Sequence, residues 1–281
     1  MIYCALMGGL GNQLFQIFAT IAYALKNGHT FKFPDSKLDK TDRPVYWSTL
    51  LSSLIDNTIG SPPPLLSLIY NESGFQYQEI PAIANTESIN ISGYYQSYKY
   101  FEDYYGKICD VLELNEKKNN VFSKFPKEYS SMISMHFRIG DYKHLADYHP
   151  VISYQYYKNA LQFIMDNRAD ISSDFKVLYF CEEENNEEVC IIIDRLAAEF
   201  PGLQFIKGED SALDYEQLLM MSLCNHNIIA NSTFSWFSAY LNNNKNKIVC
   251  YPSIWFGPAL SNYIMDDLCP NSWTKISAST H

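Results

Sequence analysis

The sequence predicts an α/β protein built from two Rossmann-like domains facing a cleft. Two observations carry that reading. An apolar strand, Ile2 to Met7, runs straight into Gly8-Gly9-Leu10-Gly11-Asn12-Gln13 and then into an apolar helix. Far along the chain, at Met132, a second strand opens a fresh alternation of strands and helices. Alternation of this kind makes parallel sheets with helices on both faces.

The first half reads as a strand over 2–7, a helix over 12–27 and a strand over 30–34. Gly8, Gly9 and Gly11 lack the Cβ atoms that would keep a ligand from the backbone, and they permit positive φ. The helix behind them aims unpaired N–H groups and a positive dipole end at the loop, the usual way to hold a phosphate. Residues 35–88 read as irregular, with Pro62-Pro63-Pro64 marking a loop. A short strand over 88–92 leads into Gly93-Tyr94-Tyr95-Gln96-Ser97-Tyr98-Lys99-Tyr100-Phe101 and a helix to about Leu112. Lys117 to Lys127 is polar, ends in Phe125-Pro126-Lys127 and reads as a linker. The expected domains are therefore 1–128 and 129–281.

The second half begins with a strand over 132–138. Helices are expected at 153–167, 187–200, 215–223 and 232–241, and strands at 176–181, 203–206, 227–230 and 247–251. Its first strand ends in His136-Phe137-Arg138-Ile139-Gly140-Asp141-Tyr142, where ligands of open α/β sheets bind. Arg138 offers a permanently charged planar fork suited to a diphosphate. His136, two residues earlier, shares its side of the strand. A later strand ends in Asn231-Ser232-Thr233-Phe234-Ser235-Trp236, a helix start that can cap itself or bind phosphate.

Composition narrows the classes. Hydrophobic residues make up 47% and charged residues 19% of 281, the balance of a globular protein rather than a disordered one. A net charge of −10 excludes nucleic acid and anionic membranes as natural partners, so an anionic ligand needs local cations. The 22 Tyr and 17 Phe exceed what a core alone needs and suit sugar-stacking surfaces. Seven scattered cysteines form no CxxC pair and no ligand cluster, which points to free thiols in a reducing cytoplasm. The opening residues lack a basic, apolar and cleavable leader, and the first helix is too short to span a bilayer; a cytoplasmic location is expected.

The ordered motifs, from Gly8-Gly9-Leu10-Gly11-Asn12-Gln13-Leu14-Phe15-Gln16 through Gly93 to Phe101 and His136-x-Arg138-x-Gly140-Asp141-Tyr142 to Cys224-Asn225-His226 and on to Trp236, resemble the α-1,2-fucosyltransferases of glycosyltransferase family 11. Pro252-Ser253-x-Trp255-Phe256 and Ser272-Trp273 are similar to that family too, so the likeness spans the chain. The resemblance implies a GT-B fold, GDP-β-L-fucose as co-substrate and a terminal β-galactoside glycan as acceptor. It also implies inversion at the anomeric carbon with neither metal nor cofactor. Arg138 would hold the β-phosphate, with His136 near the nucleotide and Asn12 on phosphate or fucose. Gly9, Gly11, Gln13, Asn231, Ser232, Thr233, Phe234 and Ser235 complete the expected donor site, and Tyr95, Gln96 and Lys99 are candidate acceptor contacts. The chain departs from the family at Ile139, where a second arginine is usual, and at Gln217, where an acidic residue is common.

Chemistry supports the same residues. Breaking the bond to the diphosphate leaves negative charge on the departing oxygen, and the chain has no Asp-x-Asp metal motif. Arg138, the Ser232 helix start and the glycine-loop N–H groups suffice in kind as preorganised electrostatics. Asp141 is a candidate base for the acceptor hydroxyl, and equally a partner that orients Arg138. A dinucleotide oxidoreductase fits worse, because the third glycine position is Leu14, and a P-loop enzyme lacks Gly-Lys-Ser/Thr. Transfer to another linkage, or sugar binding without catalysis, are the remaining alternatives.

Overall fold

The computed structural model describes residues 1–35, 44–60, 67–84, 86–168 and 175–279. Pro62-Pro63-Pro64 lies outside the described residues. The chain forms two compact units, one of Met1–Lys117 with Tyr263–Pro270, the other of Lys118–Asn262 with Asn271–His281. Each is an α/β unit around an all-parallel sheet, in keeping with the expected class.

In the first unit β1 (Ile2–Tyr3) precedes α1 (Leu10–Asn27) and β2 (Phe31–Pro34). The region expected to be irregular contributes β3 (Thr58–Ile59) and β4 (Leu68–Asn71), followed by β5 (Ile89–Ser92) and α2 (Tyr105–Val111). The strand order is β3-β2-β1-β5-β4. The order reverses beside β1, so the loops after β1 and β5 open at one point of the sheet edge. Helix α1 is buried almost all round, with Phe15, Ile17, Phe18 and Ile21 fully covered. Its buried Gln16 and Thr20 bond to backbone, as when Thr20 donates to the Gln16 carbonyl at 2.6 Å.

Residues 114–124 form α3 (Leu114–Lys124) rather than a linker. Leu114, Lys118 and Val121 share its inner face. The lysine in an apolar slot hid the helical period; its ammonium donates to the Leu241 carbonyl while its stem is buried. The change of unit thus falls inside a helix, ahead of the expected boundary at 128.

The second unit continues with β6 (Met132–His136), α4 (Tyr154–Asn167), β7 (Lys176–Phe180), α5 (Asn186–Glu199) and β8 (Gln204–Lys207). Then come α6 (Asp214–Leu223), β9 (His226–Ile228), α7 (Thr233–Tyr240), β10 (Val249–Pro252) and β11 (Thr274–Ile276). The sheet order β11-β10-β9-β6-β7-β8 is the doubly wound 3-2-1-4-5-6 arrangement read within this unit. Ile133, Met135, Phe137 and Ile139 alternate into one core with Leu161, Val177 and Leu196. Ser134, on the opposite face, accepts from the buried Asn227 amide at 2.7 Å.

Residues 263–270 return to the first unit through Asp267, whose carboxylate accepts the Tyr77 N–H at 3.1 Å and pairs with Lys99. Its carbonyl accepts the Ser97 hydroxyl at 2.7 Å.

Candidate active site

In the first unit the glycine loop is the start of α1 itself. Gly9 is the N-cap, and Gly8 has a φ of 77°, the left-handed region that favours glycine. A Cβ on Gly8 would meet Asn12 Nδ2 at 2.5 Å, so the loop needs that glycine on two counts. Asn12 Oδ1 accepts the Gln96 amide at 3.0 Å, joining the two loops at the strand-order reversal.

Several expected contacts have other work. Gln13 is fully buried and donates to the carbonyls of Gly8 and Pro44 at 3.0 and 2.9 Å, so it builds the loop rather than facing a donor. Gly11 is likewise buried within α1, leaving Gly9 and Asn12 partly exposed. Tyr95, an expected acceptor contact, has a fully covered ring that meets Tyr100 edge-on at 5.2 Å. Lys99 is engaged by Asp267, and Gln96 is 5% exposed against Asn12. In this run Tyr95, Gln96, Ser97 and Tyr98 are buried in succession, so packing accounts for most of it.

Glu72, just past β4, was missed. It lies in the stretch expected to be irregular, where a single carboxylate carries no signal. Its Oε2 accepts the N–H groups of Tyr94 and Tyr95 at 2.7 and 2.8 Å. That holds a turn in which Gly93 and Tyr95 both have positive φ. Burial pushes its carboxyl up to about 6, against the opposing pull of the two N–H groups.

In the second unit β6 lies between β7 and β9, where the strand order reverses. Arg138 emerges there, its side chain 12% exposed. The guanidinium donates to Glu182 at the end of β7 and to Asp141, and lies 4.9 Å from the centre of the Tyr142 ring. Burial disfavours its charge, but Glu182, Tyr142 and Asp141 outweigh this and keep the guanidinium firmly protonated. Glu182 is a second residue that sequence reading missed, because it opens an acidic run that looks like a solvated face.

His136 is buried and its ring tilts against Phe234 of α7 at 5.5 Å. Burial, then the neighbouring Arg138, depresses its pKa to about 3, so the imidazole is neutral. Its Nδ1 is buried without a hydrogen-bond partner. Ser232 stands at the N-cap of α7 with no side-chain bond back to the helix. Thr233 and Phe234 are partly exposed beside it. Asn231 and Ser235 turn inward: the Asn231 amide donates to Pro150 and Trp255 carbonyls at 2.9 and 3.2 Å, and the Ser235 hydroxyl to Ser232 at 3.3 Å. Both support the loop rather than present themselves to a donor.

The family departures are absorbed structurally. Ile139 is buried in the core, and Gln217 donates to the Ala212 carbonyl at 3.1 Å at the start of its own helix. Among the described residues no group of three or more His, Cys, Asp or Glu is arranged to hold a metal ion, and no helix is long and apolar enough to cross a membrane.

The sequence model described as Glycosyl transferase family 11 matches residues 70–255. The O-antigen biosynthesis glycosyltransferase WbnK of Escherichia coli is 27% identical over 208 residues, spanning 68% of this chain and 64% of that protein. An alpha-1,2-colitosyltransferase of Escherichia coli is 25% identical over 311 aligned positions, covering 98% of each chain. Among solved structures, the fucosyltransferase NodZ from Bradyrhizobium superposes with a TM-score of 0.47 at 12% identity, covering 85% of this chain and 93% of that one.

Proposed function

Because the chain belongs to glycosyl transferase family 11, we propose that it transfers L-fucose from GDP-β-L-fucose to the 2-OH of a terminal β-galactoside. The bond from fucose C1 to the β-phosphate oxygen breaks, and GDP departs with the electron pair. The acceptor oxygen bonds to C1 from the opposite face, giving inversion, and its proton passes to a base. The full-length likeness to an alpha-1,2-colitosyltransferase supports the linkage and favours a second reading, in which colitosyl is the group moved.

One observation carries the proposal. At the strand-order reversal of the second unit, Arg138 is held by two carboxylates that are each 45% exposed. A diphosphate is a stronger and bidentate partner for a guanidinium, and half-solvated carboxylates are displaced at low cost. Ser232, whose side chain makes no capping bond to α7, adds a positive helix end for the same anion. Preorganised charge of this kind stabilises a leaving diphosphate without metal or cofactor. In the first unit, Gly9 and Asn12 are the loop residues proposed to meet the donor. Asp141, bound to Arg138, is supported as an orienting residue more directly than as the base. A cytoplasmic location, where GDP-sugars are made, is part of the proposal.

Calorimetric titration with GDP, GDP-fucose and NAD tests the nucleotide, and product linkage on lactose tests the transfer. Binding of GDP and GDP-fucose with EDTA-insensitive transfer to the galactose 2-OH is expected. Binding of NAD alone, or strict Mg²⁺ or Mn²⁺ dependence, overturns the scheme.

A further inference from the structure

The second unit contains a cavity of about 750 Å³ between the loop after β6 and the loop after β10. Tyr142, Asp147, Val151, Ile254, Phe256 and Pro258 are among its walls. Its volume lies in the range of small-molecule sites, roughly 300–1,000 Å³. None of the residues expected to bind the donor lines it; Tyr142, in van der Waals reach of Arg138, does.

The walls are built, not accidental. Gly257 donates to the Tyr148 carbonyl and Ala259 to the Asp147 carbonyl, both at 2.9 Å, which zips the two loops together. A Cβ on Gly257 would meet the Asp147 carbonyl oxygen at 2.4 Å, so only glycine lets the backbones approach this closely. Beneath them the Asn231 amide ties Pro150 to Trp255, and Tyr142 donates its hydroxyl to the Asn231 carbonyl at 3.2 Å. The cavity is therefore anchored to the same loop that presents Ser232.

Its chemistry is specific. Tyr142 and Phe256 give the lining two aromatic rings; His149 links them, stacked on Tyr142 with centroids 5.0 Å apart and meeting Phe256 at 5.5 Å. Such rings suit the C–H face of a pyranose, which is drawn to the negative face of an aromatic ring. Lys143 is paired with Glu188 across the lining, and Asp147 adds a second carboxylate. That lining disfavours an anionic occupant while offering both donors and acceptors to hydroxyl groups. The opposite side of the picture is Arg138, 4.9 Å from the centre of the same Tyr142 ring.

We propose that this cavity binds the neutral terminal sugars of the acceptor glycan, one aromatic ring away from the guanidinium that takes the leaving phosphate. The inference rests on the transferase reading and adds a place for the acceptor in the second unit, apart from the Tyr95, Gln96 and Lys99 expected from sequence. Ala146, exposed at the cavity lining, is the position to fill; Phe256 is the wall to remove.

The test uses the whole chain, with lactose and N-acetyllactosamine as probes. Saturation-transfer NMR reads sugar binding without donor, calorimetry reads GDP, and initial rates read KM against kcat. Wild type is expected to give saturation transfer to at least one disaccharide. Ala146→Trp and Phe256→Ala should abolish it and raise the acceptor KM at least tenfold, with GDP affinity within twofold of wild type. Unchanged acceptor KM in Ala146→Trp overturns the proposal, as does GDP affinity falling in step, which would put the nucleotide in the cavity. No saturation transfer to either disaccharide from wild type also overturns it. Saturation transfer that the variants abolish, in a wild type that moves no fucose, upholds the sugar site and removes the reaction instead.

Discussion

Gln96 donates its side-chain amide to Asn12 Oδ1 at 3.0 Å, tying the loop after β5 to the loop that opens α1. Two motifs far apart in the chain thus become one surface. Replacing Gln96 with Leu removes the donor that ties Asn12 Oδ1 to the β5 loop, at a stability cost of about 1 kcal/mol. The expected outcome is a KM for GDP-fucose raised several-fold with the thermal midpoint lowered by only about 2–4 °C. Unaltered donor KM would show that Asn12 needs no anchoring.

Arg138→Ala should reduce transfer by about 10²- to 10³-fold, the range for loss of a preorganised charge at a leaving oxygen. The fold should survive, because the abandoned Asp141 and Glu182 are each 45% exposed and can be solvated. Asp141→Asn separates its two roles. A drop in kcat with GDP affinity kept marks a base, whereas weaker GDP binding marks the orienting partner seen in the structure. Rates and GDP titrations on both variants, with circular dichroism as the fold control, decide the matter.

Glu72 makes stability depend on pH in a predictable direction. Burial raises its carboxyl from 4.5 to about 6 in the folded protein. Below 4.5 the group is neutral in both folded and unfolded chains, and its relative contribution is fully present. As pH rises through about 6 the folded chain must ionise a buried acid, and that contribution is lost, on the order of 2 kcal/mol. Urea unfolding at several pH values should therefore show wild type losing stability relative to Glu72→Gln between about 4.5 and about 6. A difference that stays flat across the window contradicts the burial argument.

Two lysines, Lys118 buried and Lys247 partly buried, close the C-terminal end of α7. Lys118 donates to the Leu241 carbonyl, and Lys247 donates to Ala239 and Asn242 at 2.7 and 2.6 Å. Burial, then the nearby Lys118, lowers the Lys247 ammonium to about 8. Lys118→Met keeps the stem and removes the charge, leaving the Leu241 carbonyl short of a partner. Unfolding free energy should fall by about 1–3 kcal/mol. Because α7 also carries Ser232, GDP affinity should weaken modestly; denaturation and calorimetry on the same sample check both.

What could be read from the chain alone was whatever local physics controls. Strand period placed His136 and Arg138 on one side of β6, and turn and capping grammar placed Gly8–Asn12 and Ser232 at strand ends. Alternation of strands and helices announced two parallel sheets. Those signals span a few residues each, so they survive without the fold. The partners of these groups were decided only in three dimensions. Glu182 reaches Arg138 across 44 positions, and Asp267 reaches Lys99 across 168. Packing, too, was decided there: the Tyr95 ring is fully covered, and Lys118, in a stretch that reads as a linker, is buried on a helix. Burial and ion pairing depend on which distant segments converge, and no local pattern in the chain encodes that convergence.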